Sequence, residues 1–238
     1  MMRSSTDFHS HILPGIDDGS RSVTESLEML RLEAEHGIST VVATPHFYAH
    51  RDNLERFLKR RERAEELLRS ELSGHPDLPE IVVGAEVHYF SGIGDSDLIS
   101  SLRIGSTKYI LIEMPKSPWT EEMYLAFLKI YDRIGIIPIV AHVDRYITRF
   151  RTYGIPKRLA ELPVLVQANA EFFLNKGTSS MAMRMLKAGN IHLLGSDCHN
   201  LHSRKPNLGE ALERIEDRLG PEMLHRIAEN EQKVLSAT

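Results

Sequence analysis

The stretch Asp7-Phe8-His9-Ser10-His11 puts two histidines one residue apart at the end of a short apolar run. Side chains at i and i+2 of an extended strand point the same way, so His9 and His11 can offer two imidazole nitrogens to one cation. Two carboxylates, Asp17 and Asp18, follow on the Pro/Gly-rich loop Leu13–Gly19. For an isolated H-x-H pair, one packed and one surface histidine is the more ordinary reading. The readings separate on whether the rest of the chain supplies ligands at matching places.

Seven short apolar runs read as strands, most of them separated by helical patterns. They are Thr6–His11, Thr40–Thr44, Ile81–Ala85, Tyr109–Ile112, Ile136–Ala141, Val164–Ala168 and His192–Ser196. Helical periodicity covers Ser22–Gly37, Asn53 to about Leu72, Thr120–Ile134, Arg151–Leu162, Ser179–Ala188 and a tail from Pro206 with a break at Gly220-Pro221. The long charged second helix is expected to bury Leu54, Phe57, Leu58, Ala64 and Leu67. Alternation of strand and helix predicts a parallel sheet with right-handed crossovers, covered on both faces. No Gly-rich phosphate fingerprint follows the first strand, which argues against dinucleotide binding. With no repeat, low-complexity stretch or linker, residues 1–238 read as one domain.

Six of the seven predicted strands end on a group able to bind metal: His9 and His11, His46, Glu86, Glu113, His142, and Asp197 with His199. The sixth ends on neutral Asn169. In a barrel of parallel strands, residues from distant strand ends become neighbours at the C-terminal rim. Mixed imidazole and carboxylate ligands suit zinc, manganese or iron, and there is no cysteine cluster for a structural zinc site. These candidates, together with the loop carboxylates, are too many for one ion and enough for two or three. Clustered divalent ions suit phosphoryl transfer.

A net charge of −4 disfavours a duplex-binding surface. The one cysteine, Cys198, fits a reducing compartment. No apolar run approaches the roughly 20 residues that span a bilayer, and Met1–Thr6 lacks the apolar core of a signal peptide. The expectation is a cytoplasmic protein without membrane insertion.

The segments DFHSHILPGIDDGS, ATPHF, GAEVHY, IEMP, AHVDRY and SDCHN closely resemble the bacterial PHP-type protein tyrosine phosphatases encoded with capsule and exopolysaccharide genes. The resemblance runs from Asp7 to about Leu208. It implies an α/β fold, a distorted (βα)7 TIM-like barrel, with a metal site at the C-terminal rim holding two or three manganese, iron or zinc ions, manganese favoured for activity. By motif, one ion would be held by His9, His11, Glu86 and Asp197. A second would share Glu86 and add Glu113 and His142. A third would take Asp18, His46 and His199. Asp17 then falls outside the ligand set. The resemblance also implies two phosphate-binding arginines, Arg145 and Arg204; guanidinium is planar, permanently charged and bidentate toward phosphate. The implied substrate is a phosphotyrosine protein, the tyrosine-rich tail of a bacterial kinase controlling polysaccharide export. Histidinol phosphate hydrolysis and nuclease activity are the alternatives within the superfamily. A metal-stabilised protein that binds the kinase without turnover is the non-enzymatic one. The family's N-A-x-S-x-x-G pattern is replaced here by Asn169–Gly177, expected to be a loop shaping the substrate mouth.

Cys198 and Arg204 also spell C-x5-R, the bare signature of cysteine-dependent phosphatases. That loop has no glycine to let backbone N–H groups cradle phosphate, and Asp197 disfavours a thiolate beside it. Cys198 reads instead as a small buried residue. Among loop aromatics, Tyr48 and Tyr89 are the candidates to flank a substrate ring. His50, His88 and His202 lie close in sequence to the proposed ligands.

Overall fold

The computed structural model describes residues 6–147 and 154–237. Its elements are β1 (Thr6–Ser10), α1 (Val23–Glu35), β2 (Thr40–Ala43), β3 (His46–Phe47), α2 (Leu54–Leu72), β4 (Glu80–Val83), β5 (Glu86–His88), β6 (Tyr109–Glu113), α3 (Glu121–Ile134), β7 (Ile137–Val140), α4 (Ile155–Leu159), β8 (Leu165–Asn169), α5 (Ala170–Leu174), α6 (Ser179–Lys187), β9 (Leu193–Gly195), α7 (Leu208–Leu219) and α8 (Pro221–Leu235). Two 3-10 turns, Ile93–Asp95 and Asp97–Leu102, lie between β5 and β6, and a third covers Val143–Arg145. The start of the helix expected over Arg151–Leu162 falls outside the described residues; its later part is α4.

All strand pairs are parallel. One sheet has the order β1-β2-β4, the other β3-β5-β6-β7-β8-β9. The second and third predicted strands are each followed, after a short break, by a further strand. The β2–β3 break falls at Thr44-Pro45, where proline has no N–H for the ladder. The Pro45 carbonyl still accepts from Glu86 N at 3.0 Å, so the path of the sheet carries on across the break. Gly84-Ala85 divides β4 from β5, and a Cβ on Gly84 would lie 3.2 Å from Ile104 Cα. As a result Glu86 stands inside a strand, as the first residue of β5, and His11 lies just beyond β1.

The ends of the arrangement meet. Ser10 bridges Cys198 in parallel. His11 N donates to Cys198 O at 2.9 Å, and Asp197 N donates to His9 O at 2.7 Å. The parallel sheet therefore curls until β9 lies beside β1. Helices cover it, and two of them begin with side-chain caps. The Ser22 side chain caps α1 by accepting from Glu25 N, and Asn53 caps α2 by accepting from Arg56 N. Phe57, Ala64 and Leu68 form the buried face of α2. Leu67, expected inside, is 50% exposed, because the helix turns its 57-64-68 stripe toward the sheet.

Asn169–Gly177 is not a single loop. It opens with Asn169, the last residue of β8, and continues as α5, whose Phe172 and Phe173 are buried in the core. Two aromatics in succession anchor this turn to the core. Among the described residues, no helix is long and apolar enough to cross a membrane.

A Cβ added at Gly195 of β9 would lie 2.6 Å from His9 Cβ and 2.8 Å from His9 N. Gly195→Ala is expected to push β9 off β1 and destabilise the fold by at least about 1–3 kcal/mol, as overpacking does. A lowered urea midpoint with an unchanged slope measures this, and an unchanged midpoint would contradict it.

Candidate metal centre

Six strands and the loops after them deliver donors to one spot. His9 Nε2 lies 3.2 Å from His11 Nε2, 3.3 Å from Glu86 Oε2 and 3.6 Å from Asp197 Oδ1. His11 Nε2 lies 3.4 Å from Glu86 Oε2 and 3.5 Å from Asp197 Oδ1. Tetrahedral ligands about 2.0–2.2 Å from a cation stand about 3.4 Å from one another, so these spacings suit an ion. On one side, Glu86 Oε1 meets His142 Nε2 at 2.7 Å, with Glu113 Oε1 at 3.6 Å from that nitrogen. On the other, Asp18 Oδ1 lies 3.3 Å from His46 Nε2 and 3.5 Å from His199 Nε2. His46 Nδ1 reaches Glu86 Oε2 at 2.8 Å, which joins the two sides.

The nitrogens are aimed by what holds their rings. His199 Nδ1 lies 3.0 Å from the Asp197 carbonyl, which can only accept, so Nδ1 carries the proton and Nε2 is left free. His11 Nδ1 donates to Asp17 Oδ2 at 2.8 Å in the same way. His9 Nδ1 lies 3.3 Å from Gln167 Oε1, and His142 Nδ1 lies 3.2 Å from the Tyr146 hydroxyl. Partners of this kind fix tautomer and orientation in metal sites. Asp17 also accepts from His46 N at 3.0 Å and Gly19 N at 3.0 Å, so it ties the DDG loop to both histidine segments.

The donor set fits cations. Glu86 Oε2 and His199 Nε2 are buried and, among the described residues, make no well-aligned hydrogen bond, His46 Nδ1 approaching Glu86 Oε2 off the bonding direction, and each faces the cluster. Burial would raise the Glu86 carboxyl, but His9, His11, His142 and His46 outweigh it and hold the group well below the usual range. Asp197 is likewise held low by His9 and His11 against its burial. Burial beside His11 and Arg204 lowers His199 to about 4, which leaves it neutral, the form that ligates. Buried carboxylates of this number need positive charge close by. Three overlapping groups of donors lie within 4.8 Å of one another: His11, Asp18, His46 and His199; His9, His11 and Glu86; and His46, Glu86 and Glu113.

The backbone is bent to make this fit. His142 and Asp197 have φ of 31° and 55°, the two non-glycine residues with positive φ among those described. Such conformations cost about 1–3 kcal/mol each and concentrate at functional sites.

Both predicted arginines converge here. Arg145 binds Asp197 Oδ2 and lies 3.2 Å from His142 Nε2, while Arg204 donates to Asp197 Oδ1 at 2.7 Å. Tyr48 reaches the rim: its ring lies 5.3 Å from His88 and 5.5 Å from His46, with the Arg51 guanidinium 4.0 Å above it. Burial, then Glu113 and Glu86, push the Tyr48 phenol up to about 12. Tyr89 is not brought to the cluster. It packs on the core, and Glu122 of α3 is the charge beside its phenol. His88 Nδ1 donates to Glu113 Oε2 at 3.0 Å, and the His50 ring stands edge-on to Tyr48. His202 lies on an exposed turn.

Sequence reasoning did not single out Gln167 or Tyr146. Gln167 Oε1 also accepts from His142 N at 2.6 Å, and Tyr146 accepts from Met114 N at 2.9 Å. A glutamine pointing into a strand-lined interior, two residues before a strand end, was the available signal for the first. Cys198 is fully buried, and burial beside Asp7 and Glu33 drives its thiol well above the ordinary value.

Parallel strands that curl around a rim of histidines and carboxylates define a metal-binding α/β protein. Residues 5–236 match the family described as capsular polysaccharide synthesis, CpsB/CapC, and the chain belongs to that family. The chain is 30% identical to the tyrosine-protein phosphatase YwqE of Bacillus subtilis over 239 residues, which cover 96% of this chain and 91% of YwqE. It is 26% identical to the tyrosine-protein phosphatase CpsB of Streptococcus agalactiae serotype III over 249 residues, 96% and 97% of the two chains. It superposes with a TM-score of 0.85 and 27% identity, over 98% of this chain and 95% of the other, on a structure from a study of YwqE from Bacillus subtilis and CpsB from Streptococcus pneumoniae, described as unique metal-dependent tyrosine phosphatases. The fold alone is shared with L-hydantoinase from Arthrobacter aurescens, at 12% identity and a TM-score of 0.58.

Two outcomes are expected. Asp17→Asn removes the charge that orients His11, and manganese affinity measured by titration should fall about 10–100-fold, as for other groups that orient ligands. Cys198 should resist a thiol reagent at pH 8 in the folded protein and react once unfolded, and Cys198→Ser should keep most of the activity. Loss of turnover in Cys198→Ser with metal retained would point to thiolate chemistry instead.

Proposed function

We propose that this chain is a metal-dependent protein-tyrosine phosphatase. The observation that carries the reading is the buried cluster of His9, His11, Glu86 and Asp197, with donor spacings of 3.2–3.6 Å, in a chain similar over nearly its whole length to tyrosine-protein phosphatases. The scaffold reads as one domain, a distorted (βα)7 barrel. Counting β2 with β3 and β4 with β5 gives seven strand positions, closed by the β9–β1 contact.

In this reading His9, His11, Glu86 and Asp197 hold one ion; Glu86, Glu113 and His142 a second; Asp18, His46 and His199 a third. Manganese is favoured. Bound divalent ions would supply water activation and stabilisation of charge at phosphorus. Arg145 and Arg204 donate to the non-bridging phosphate oxygens, where charge develops in the transition state. Tyr48 flanks the aromatic ring of the substrate; Tyr89, half-buried on the core with Glu122 of α3 beside its phenol, is better placed as a wall residue. A phenolate leaving group, with a solution pKa near 10, needs little protonation from the protein. The substrate would be the phosphotyrosine-rich tail of a bacterial tyrosine kinase governing capsule export, met in the cytoplasm.

The test is an elemental metal count with phosphotyrosine-peptide turnover, before and after His9→Ala. Metal content and turnover should fall together, and chelator should abolish activity that manganese restores. Arg145→Ala and Arg204→Ala should retain metal and lose about 10²–10³ in kcat, the usual effect of removing one oxyanion donor. Higher kcat/KM on histidinol phosphate or single-stranded DNA than on the phosphopeptide would overturn the assignment, and kinase binding without turnover in manganese-loaded protein would make it a binding protein.

A further inference from the structure

Glu33 is the buried acid of α1, 1% exposed; Glu25, Glu28 and Glu35 of the same helix reach solvent. It lies in the core beside Asp7 and Cys198, with one donor atom of each within 4.8 Å of the others. Its Oε1 has no hydrogen-bond partner. Among the described residues no lysine, arginine or histidine side chain pairs with Glu33 or Asp7. Two ionised carboxylates in contact, away from water and without a cation, are strongly disfavoured.

Asp7 is the better solvated of the two. A carboxylate offers about four acceptor positions. Three are filled: Oδ1 accepts from His9 N at 3.0 Å and Ser196 N at 2.9 Å, and Oδ2 accepts from the Ser196 hydroxyl. One position is left. We propose that Glu33 fills it as a neutral carboxylic acid whose O–H donates to Asp7, making Glu33 a positioning residue for the two strand ends that Asp7 clamps. His9 belongs to one of those ends, and Ser196 directly precedes Asp197 at the other. Burial, then the Asp7 charge, raises the Glu33 carboxyl well above the usual range; Asp7, which has the donors that Glu33 lacks, is raised less far. Fixing Asp7 fixes where His9 and Asp197 stand relative to one another. That consequence rests on the metal-site reading above, whereas the protonation state of Glu33 does not.

The first experiment is an infrared difference spectrum, wild type minus Glu33→Gln, on full-length manganese-loaded protein at pH 8. The carbonyl stretch of a neutral carboxylic acid is expected in the wild type and lost in the variant; its absence overturns the proposal. The second is manganese titration. Glu33→Gln keeps an N–H donor for Asp7 and should retain wild-type affinity. Glu33→Leu keeps the bulk without the donor and should bind about 10–100-fold more weakly, the usual effect of losing an outer partner. Equal affinities for the two variants, a Glu33→Gln protein that does not fold, or a metal equivalent that is lost from the wild-type count in Glu33→Gln would each overturn it. Should Glu33→Leu fail to fold, retained affinity in Glu33→Gln and the infrared band decide. Wild-type protein that binds no manganese defeats the metal reading and leaves the infrared result standing.

Discussion

A fully buried carboxylate is stable only where positive charge or donors replace the water it has lost. Glu86, 1% exposed, is that carboxylate here. Four imidazoles from three segments approach it: His9 and His11 around β1, His46 on β3, and His142 after β7. The break between β4 and β5 is what sets Glu86 at this depth, since its backbone N–H turns to the Pro45 carbonyl where β2 gives way to β3. The two interrupted strands are therefore part of how the site is built.

Around that point the protein supports its ligands in layers. Asp17, Gln167, Tyr146 and the Asp197 carbonyl each take one nitrogen of a histidine and leave the other aimed inward. Asn169 donates to Asp197 Oδ2 at 2.9 Å and accepts from Gln167, so the neutral end of β8 steadies the acidic end of β9. The positive φ of His142 and Asp197 shows the same logic in the backbone. Strain of that kind persists only where surrounding contacts over-determine it, and both residues sit in the most heavily bonded part of the molecule.

Much of this was legible in the sequence because ligands at strand ends carry two signals at once. His9, His142 and Asp197 announce themselves by residue type and by the apolar runs that precede them. The helices were legible from capping and stop residues such as Ser22, Asn53 and Gly135. What was hidden depends on packing. The burial of Glu33 breaks the rule that charged helix residues face water, and no local pattern marks the exception. Leu67 and Leu68 differ only in which way the helix is rolled on the sheet. The short helix α5 was obscured because Phe172-Phe173 fits a strand or a loop as well as a five-residue helix anchored by core contacts. The supporting roles of Gln167 and Tyr146 exist only once distant strands are side by side.

The arginines show why position, more than motif, carries the chemistry. Arg204 completes a C-x5-R spelling with Cys198, yet the thiol is buried on one side of the strand end while the guanidinium lies 2.7 Å from Asp197 on the other. The thiol is enclosed in the core beside Asp7 and Glu33, so it cannot reach a phosphorus held by Arg204. Arg145 arrives from the turn after β7 and meets the other oxygen of Asp197. Two guanidiniums from separate loops are thus held by one carboxylate beside the metal-site donors. Long, flexible side chains ordinarily lose much rotamer entropy when they bind an anion. Here most of that ordering is already done by Asp197, and the anion that best repays it presents several oxygens in different directions, as a phosphate monoester does.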